Sequence, residues 1–164
     1  MAGTFRLDRT NLKILQALQT QARITNLALA RLVNLSPSPC LERVKRLEAS
    51  GCIRRYRTDI DLDLICSNVR VFAEVTLENH RPEDFRRFAE AIRAIPEIVA
   101  AYKISGPFDY TLSIVCRDIR HYYELSERII DSGLGVAKFV GHVVLERTKA
   151  FAGYPLDKLV EPEA

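Results

Sequence analysis

The pattern of apolar positions in the first fifty residues predicts three short helices. Apolar side chains recur every three or four residues, which is the spacing that keeps them on one face of a helix. They are Leu12, Ile14, Leu15 and Leu18 in the first predicted helix, Leu29, Ala30 and Val33 in the second, and Cys40, Leu41, Val44 and Leu47 in the third.

Residues that favour helix ends lie where these patterns begin and stop. Asp8 and Thr25 are expected to cap the first two helices, because their side-chain oxygens can accept from free backbone N–H groups. In the third helix Ser36 is expected to act as the cap, Pro37 to occupy the first helical position, and Gly51 to end the helix in the left-handed conformation. The boundaries of all three helices are therefore predicted.

The third helix has the features of a DNA recognition helix. Asn34 can adopt the left-handed conformation in the tight turn before it, which gives the order helix, turn, helix. Its apolar stripe leaves hydroxyls near its start and cations further along pointing away from the core, a face that suits the major groove between phosphates. The side chains expected to contact DNA are Ser36, Ser38, Arg43, Lys45 and Arg46.

Residues 52–58 alternate cations with apolar and aromatic residues, which predicts a short strand or wing. The arginines of this segment, Arg54, Arg55 and Arg57, are interpreted as phosphate contacts, because nothing rigid directs them into a groove. The next residues, 59–67, are acidic and predict a linker.

Beyond the linker, Val69–Leu77 alternates apolar and polar residues, which is typical of a strand exposed on one side. The following predicted elements are a helix opened by Pro82 and stopped by Pro96, strands over 98–105 and 110–116, a helix capped by Asp118, and a long strand over 136–149. Strand, helix, strand, repeated once, is the ferredoxin-like split βαβ arrangement. The predicted fold class is therefore α+β, with an N-terminal winged helix-turn-helix and a C-terminal ferredoxin-like βαββαβ domain.

These patterns predict four segments. They are a DNA-binding domain over residues 1–58, a linker over 59–67, a second domain over 68–149, and a C-terminal extension over 150–164. Apolar residues of the extension, Phe151 and Tyr154 among them, are expected to pack against the sheet domain or a neighbour.

The sheet face that the helices leave uncovered is predicted to be apolar. The residues assigned to it are Phe72, Val99, Ala101, Phe139, Val143 and Leu145. An apolar sheet face without its own helix favours association with a second copy, and a two-fold dimer would match a palindromic DNA site. The alternative is an error of one residue in register, which would exchange the two faces of a strand.

The charge is distributed unevenly along the chain. Residues 1–58 hold eleven Lys or Arg and three acids, a net charge of +8, whereas residues 59–164 have a net charge of −5. Such asymmetry indicates a polyanion such as double-stranded DNA as the partner of the first segment only, although a solvated basic surface remains the alternative.

Composition also argues against other classes of protein. Four cysteines form no C-x-x-C pair, so we expect reduced thiols in a cytoplasm and no metal. No apolar run approaches the roughly 20 residues of a membrane span, so a cytoplasmic protein without membrane contact is expected. The three histidines, His80, His121 and His142, lie on separate elements and common catalytic motifs are absent, so neither catalysis nor a cofactor is expected.

The chain resembles the leucine-responsive/asparagine-regulator (Lrp/AsnC) family of transcription regulators from Leu7 to about Lys149. The resemblance is carried by Leu7-Asp8, by Arg23-Ile24-Thr25-Asn26, by the block from Leu35 to Gly51, and by Ser105-Gly106-Pro107-Phe108-Asp109-Tyr110. It implies a winged helix-turn-helix, an amino-acid-responsive ferredoxin-like domain, dimers assembling into octamers or related states, and transcription control by a small effector.

The resemblance places the effector around the loop from Ser105 to Tyr110, at a contact between dimers. The implied binding residues are Ser105, Gly106, Asp109 and Tyr110. Asp109 would supply a carboxylate for the ammonium of an amino acid, and a turn at Gly106 would supply N–H donors for its carboxylate. The alternative is an ordinary hairpin, because glycine and aspartate are common turn residues.

The chain departs from the family at two positions. Asn11 stands where many members have a second acid in the first helix, and Gly141 stands where many have a threonine. A pocket that loses this hydroxyl is expected to prefer a more apolar ligand or to bind none. Two further hypotheses stay open at this stage, a haem-precursor decarboxylase of the same architecture and a low-specificity DNA-organising protein.

Overall fold

A computed structural model describes residues 7–160 of the protein. The chain divides into two compact units. The first contains the chain up to Ile60 and again from Lys149, and the second is Asp61–Thr148. The chain therefore passes from one unit to the other twice.

Three helices form the N-terminal part of the first unit: α1 (Arg9–Thr20), α2 (Asn26–Leu32) and α3 (Pro37–Ala49). The predicted caps of α1 and α2 are confirmed, since the Asp8 side chain accepts from the Asn11 N–H and the Thr25 side chain accepts from the Ala28 N–H. Ser36 occupies the cap position of α3, but its side chain makes no capping hydrogen bond, so that part of the prediction is wrong.

The helix core of the first unit contains most of the predicted apolar stripe. Its buried residues are Ile14, Ala17, Leu18, Leu29, Ala30, Val33, Cys40 and Leu47. Leu41 is the exception, because 42% of it is exposed. The tight turns are as predicted, with Asn34 at φ 57° and Gly51 at φ 77° in the left-handed region.

Residues 52–58 form no strand, so the strand alternative of the prediction for this segment is wrong. Alternation of side chains favours an extended backbone, but a strand also requires a partner that accepts its hydrogen bonds. Within the described part of the chain, the backbone of residues 54–60 makes no hydrogen bond to other backbone groups. The segment therefore has no regular secondary structure.

The second unit has the predicted split βαβ arrangement. Its elements are β1 (Val69–Leu77), α4 (Pro82–Arg93), β2 (Ile98–Lys103), β3 (Tyr110–Cys116), α5 (Ile119–Ile130) and β4 (Val136–Val143). The strands form one antiparallel sheet in the order β2-β3-β1-β4. The last strand is shorter than predicted, because it ends at Val143 rather than Lys149.

Both helices of this unit cover the same face of the sheet. Phe88 and Ile92 of α4 and Leu125 and Ile129 of α5 pack with the inward residues of β1 and β3 in one core. The inward residues are Val71, Ala73, Val75 and Leu77 of β1 and Tyr110, Leu112, Ile114 and Cys116 of β3. In β1 and β3, every second side chain therefore faces the helices and is buried.

The register of β4 corrects the predicted composition of the uncovered face. Phe139 lies opposite Val75 and Val143 lies opposite Val71, so both belong to the helix-covered face. Phe72 is on the uncovered face as predicted, opposite His142 and 50% exposed. Tyr102, opposite Thr111, is a second large side chain on that face and is 64% exposed.

Three further residues assigned to the uncovered face differ from the prediction. Ala101 lies opposite the buried Leu112 on the covered side, and Val99 sits in a register shift of β2. Leu145 lies beyond the end of β4 and is 97% exposed. The bulge in β2 and the early end of β4 break the simple alternation on which the prediction relied.

The C-terminal extension belongs to the first unit, so the expected packing against the sheet domain is wrong, whereas packing against a neighbour stays a prediction. A short helix, α6 (Leu156–Leu159), lies near its end. Before α6, the backbone of Tyr154 makes two hydrogen bonds to the side chain of Gln19 in α1. The extension is therefore structurally part of the unit that contains α3.

Candidate functional site

The outer side of α3 carries a line of exposed side chains. Cys40 and Leu47 on the inner side are fully buried, whereas Ser38 and Lys45 are exposed on the other side. Leu41 lies between them, because residues three and four apart are neighbours on a helix. The helix therefore presents a hydroxyl, an apolar group and an ammonium group in a row.

Leu41 is a candidate contact residue that our sequence analysis placed in the core. At 3.6 residues per turn it lies about 100° around the helix from Cys40, away from the line formed by Cys40, Val44 and Leu47. A helical projection of α3 centred on Cys40 and Leu47 would have shown this. An exposed leucine at this position can contact the methyl group of thymine.

Arg43 was expected to point away from the core, but its side chain turns towards α1. Its guanidinium donates to the Asp8 carboxylate and, at 3.0 Å, to the side-chain oxygen of Asn11, and only 27% of its side chain is exposed. Arg43 therefore joins α3 to the N-terminal end of α1. Asn11, the departure from the family pattern, accepts one of these hydrogen bonds.

The same contacts change the acidity of Asp8. Burial alone would raise the pKa of this carboxyl, but the Asn11 N–H and the Arg43 guanidinium together hold it below its ordinary value of 3.8. The charged form of Asp8 is thus the form that the fold stabilises.

A second contact orients α3 from the side of α2. The amide of Asn26, the first residue of α2, donates to the Pro37 carbonyl at 2.8 Å. Ser36 itself is exposed at the start of α3, with its hydroxyl not used as a cap. This hydroxyl is therefore available at the helix terminus, where backbone N–H groups favour anions.

The predicted phosphate contacts after α3, Arg54, Arg55 and Arg57, are all exposed. Tyr56 lies among them and donates its hydroxyl to the Glu48 carboxylate of α3 at 2.8 Å. Burial and this carboxylate raise the pKa of Tyr56 to about 12, so the phenol stays protonated as a donor. The structure thus groups these arginines on one segment and anchors its middle to α3.

The predicted effector residues differ in how far they are exposed to solvent. Ser105 and Gly106 are exposed, and Gly106 adopts φ 129°, a conformation that favours glycine. Tyr110 is buried and donates its hydroxyl to the Phe85 carbonyl at 3.1 Å. Burial also raises its pKa. Tyr110 therefore holds α4 against the sheet.

Asp109 is tied to the end of β1 by one of its two carboxylate oxygens. Oδ2 accepts from the Leu77 N–H at 2.8 Å and lies 3.1 Å from Nε2 of His80. The Asp109 side chain is 15% exposed, whereas His80 is 60% exposed. The Asp109 side chain thus bonds to the end of β1 and not within its own turn, as the hairpin alternative would require, while Oδ1 makes no hydrogen bond within the described residues.

The three histidines are not brought together. Each lies beside its own carboxylate, His80 by Asp109, His121 by Glu97 and His142 by Glu74. Glu97 has a lowered pKa, chiefly because of a backbone hydrogen bond and then because of His121. In residues 7–160 no group of three or more His, Cys, Asp or Glu side chains has an arrangement that could hold a metal ion.

The aromatic side chain of Tyr122 in α5 packs directly on Gly141 of β4. A Cβ added at Gly141 would overlap the Tyr122 hydroxyl of α5 and would lie 2.8 Å from Cζ of the same ring. The space that a side chain would fill at this position is thus taken by Tyr122. The departure at Gly141 is therefore coupled to a tyrosine on the helix above it.

None of the helices in the described part of the chain is both long and apolar enough to cross a membrane.

Comparison with known proteins assigns both units to one family. A family model described as a winged helix-turn-helix DNA-binding domain matches residues 7–54, and one described as the Lrp/AsnC ligand binding domain matches residues 70–153. The leucine-responsive regulatory protein of Haemophilus influenzae is 39% identical over 143 residues, which is 87% of this chain and 86% of that protein. The transcriptional regulatory protein DoeX of Halomonas elongata is 33% identical over 88% of this chain and 91% of its own length.

Solved structures agree with this assignment. An AsnC family transcriptional regulator from Agrobacterium tumefaciens has a TM-score of 0.86 and 32% identity, covering 94% of this chain and 100% of its own. A transcriptional regulator from Neisseria meningitidis solved as an L-Met complex has a TM-score of 0.87 and 32% identity, covering 94% and 99%. The protein therefore belongs to the Lrp/AsnC family, as a transcriptional regulator with a helix-turn-helix DNA-binding domain and an effector-binding domain.

Proposed function

We propose that α3 binds the major groove of duplex DNA, with Ser38, Leu41 and Lys45 facing the base edges. The observation that carries this proposal is the row of these three exposed side chains on a helix whose opposite side is fully buried at Cys40 and Leu47. A helix held by its apolar side presents its outer side in a fixed direction, as base contacts require.

The phosphate contacts lie around this face. Ser36, Arg46, Arg54, Arg55 and Arg57 are exposed on α3 and on the segment after it. Electrostatic contacts with phosphates supply most of the affinity of such proteins for DNA. Arg43, which we expected to contact DNA directly, acts through its contacts to α1.

Binding of Lys45→Ala to duplex DNA at several salt concentrations tests this interface. We expect the specific complex to weaken by roughly 1–3 kcal/mol if Lys45 contacts a base edge, with less change on random duplex. Glu90→Ala, an exposed change in α4 of the other unit, is the control and should leave both affinities unchanged. Failure of the wild-type chain to bind any duplex at low salt would contradict the proposal.

We propose that the effector is an amino acid or a related metabolite, bound beside Ser105, Gly106 and Asp109. The regulator from Neisseria meningitidis solved with L-Met supports this ligand class. Oδ1 of Asp109 offers a carboxylate oxygen for an ammonium group, and the exposed backbone around Gly106 offers N–H donors for a carboxylate.

A thermal-shift screen of the twenty amino acids with wild type and Asp109→Asn tests the effector site. A ligand at 100 times its Kd raises the stability of the wild type by about 2.7 kcal/mol. The amide oxygen introduced by this substitution can still accept from the Leu77 N–H but carries no charge, so we expect a folded variant with no response. An unchanged response in the variant would place the ligand elsewhere.

We propose that copies of the chain pair through the uncovered sheet face, where Phe72 and Tyr102 are exposed, and that these dimers assemble further, as the family resemblance implies. We also infer that the protein acts in the cytoplasm as a regulator and not as an enzyme. Two observations support this inference: the relatives are named as regulators, and each histidine lies beside a separate carboxylate.

A further inference from the structure

The segment that follows α3 carries three arginines but has little support of its own. Ile53 donates its backbone N–H to the Leu47 carbonyl at 3.1 Å, and Tyr56 is bound to Glu48. In the described chain, residues 54–60 make no hydrogen bonds between backbone groups. Something else must restrict Arg54 and Arg55 if they are to meet phosphates in one arrangement.

Residues 149–160, called here the C-terminal arm, line the same cavity as this segment. A cavity of about 290 Å³ lies between the arm, α1 and residues 52–56. Leu15 and Leu18 of α1 line one side, Phe151 and Leu156 of the arm line another, and Arg54 and Arg55 belong to the third. The arm thus contributes an apolar wall beside the two arginines.

Gln19 of α1 holds the arm. Its side-chain amide donates to the Tyr154 carbonyl at 2.9 Å, and its side-chain oxygen accepts from the Tyr154 N–H at 2.8 Å. Both polar groups of one backbone residue are therefore satisfied by one glutamine, in the way that a neighbouring strand would satisfy them.

Gly153 allows this close approach. It adopts φ 104°, which L side chains rarely adopt, and a Cβ added there would lie 2.7 Å from Cδ of Gln19. Phe151 and Tyr154 pack edge to face with ring centroids 5.0 Å apart, which stiffens the arm on either side of Gly153. The contact thus depends on one side chain of α1 and on the absence of a side chain in the arm.

We propose that the C-terminal arm is a positioning element of the DNA interface. Gln19 and Gly153 hold the arm on α1, and the arm restricts residues 52–56 so that Arg54 and Arg55 are presented to the phosphate backbone. This inference rests on the proposed DNA binding by α3 and the segment after it. It assigns a function to residues outside the side chains that we propose as DNA contacts.

Two full-length variants release the arm by different means. Gln19→Ala removes both hydrogen bonds to Tyr154, and Gly153→Ala introduces a side chain into an occupied space at an unfavourable φ. Gln21→Ala is the matched control, because Gln21 is also an exposed glutamine at the end of α1 but lies outside the contact. Hydrogen exchange of residues 149–160 reports the release of the arm in each variant.

DNA affinity measured over a range of salt concentrations is the deciding experiment. Each lost phosphate contact reduces the slope of log K against log salt by about 0.9, so loss of Arg54 and Arg55 contacts reduces it by about 1 to 2 units. We expect this reduction in Gln19→Ala and Gly153→Ala, with the ratio of specific to random binding retained because α3 is unchanged. Gln21→Ala should match the wild type.

A double-mutant cycle separates positioning from general loss of stability. If the arm acts through the arginines, Gln19→Ala adds no further loss of affinity to Arg54→Ala/Arg55→Ala. Additive losses, or a wild-type salt slope in the combined Gln19→Ala/Gly153→Ala variant, would overturn the inference. No binding by the wild type would instead contradict the proposed function on which it rests.

Discussion

At the scale of single residues, Arg43 shows how a cation on a recognition helix acquires a role inside the protein. Its charge is shared with Asp8 and Asn11 at the start of α1 rather than presented to solvent. Because the pair is partly buried, loss of the guanidinium leaves a carboxylate that has lost one of its charge-assisted hydrogen bonds. Arg43 therefore fixes the angle at which α3 is presented.

The substitutions Arg43→Ala and Arg46→Ala should change different properties of the protein, its stability in the first case and the salt dependence of DNA binding in the second. For Arg43→Ala we expect the free energy of unfolding to fall by about 1 kcal/mol and DNA affinity to fall with an unchanged salt slope. For the exposed Arg46→Ala we expect unchanged stability and a slope lower by about one unit. Chemical denaturation and salt-dependent binding measure both properties, and a reduced slope in Arg43→Ala would show that Arg43 contacts phosphate after all.

At the scale of elements, β4 and α5 are in close contact where the Tyr122 ring packs on Gly141. Gly141 of β4 lies beneath the Tyr122 ring of α5, and Val71 of β1 is 3.4 Å from where a Cβ would be. Protein cores are packed closely enough that even one added methyl group requires a shift of backbone or side chain. The position therefore links the choice of residue in the strand to the choice of residue in the helix.

Gly141→Ala should destabilise the protein by about 1–3 kcal/mol through this overlap. Tyr122→Leu removes the ring, so the double variant Gly141→Ala/Tyr122→Leu should be more stable than the sum of the two single changes predicts. Thermal or urea unfolding of the four proteins measures the coupling. Additive effects would show that the Tyr122 ring moves aside without cost.

The starts of helices could be predicted from the sequence because their signals are local. Asp8 and Thr25 each bind an N–H only three residues away, so the pattern of neighbouring residues contains the interaction. The Arg43 contact to Asp8 joins residues 35 positions apart and has no such signal. The same holds for Gln19 and Tyr154, 135 positions apart.

Strand alternation was predictable, but the face that it assigns was not. Phe139 and Val143 alternate correctly within β4, yet only the pairing with β1 shows that they face the helices. The segment 52–58 alternates as well and still forms no strand. Alternation describes one strand, whereas faces and ladders depend on its partner.

At the scale of the whole molecule, the uncovered sheet face governs our expectation of assembly. Phe72 lies on the central strand β1 and is half exposed, while the polar residues Glu74 and His142 lie beside it on the same face. A central aromatic side chain with a polar surround is typical of protein interfaces. Burial of Phe72 by a second copy would remove its exposed area from water.

Phe72→Glu should therefore convert the assembled protein to single chains, because a carboxylate would be buried in the interface in place of each aromatic ring. Ile119→Glu is the control, since Ile119 is 57% exposed at the start of α5 and lies outside the sheet. Sedimentation velocity measures the change. A Phe72→Glu protein that sediments like the wild type would exclude this face as the interface.

The return of the C-terminal arm to α1 makes the DNA-binding unit discontinuous in sequence. The unit cannot be exchanged between regulators as a simple N-terminal cassette, because a chimera cut near Ile60 would inherit Gln19 without the tail that it binds. A graft that carries residues 149–160 together with the chain up to Ile60 should transfer a complete unit. Among related regulators, the residues at positions 19 and 153 should therefore vary together.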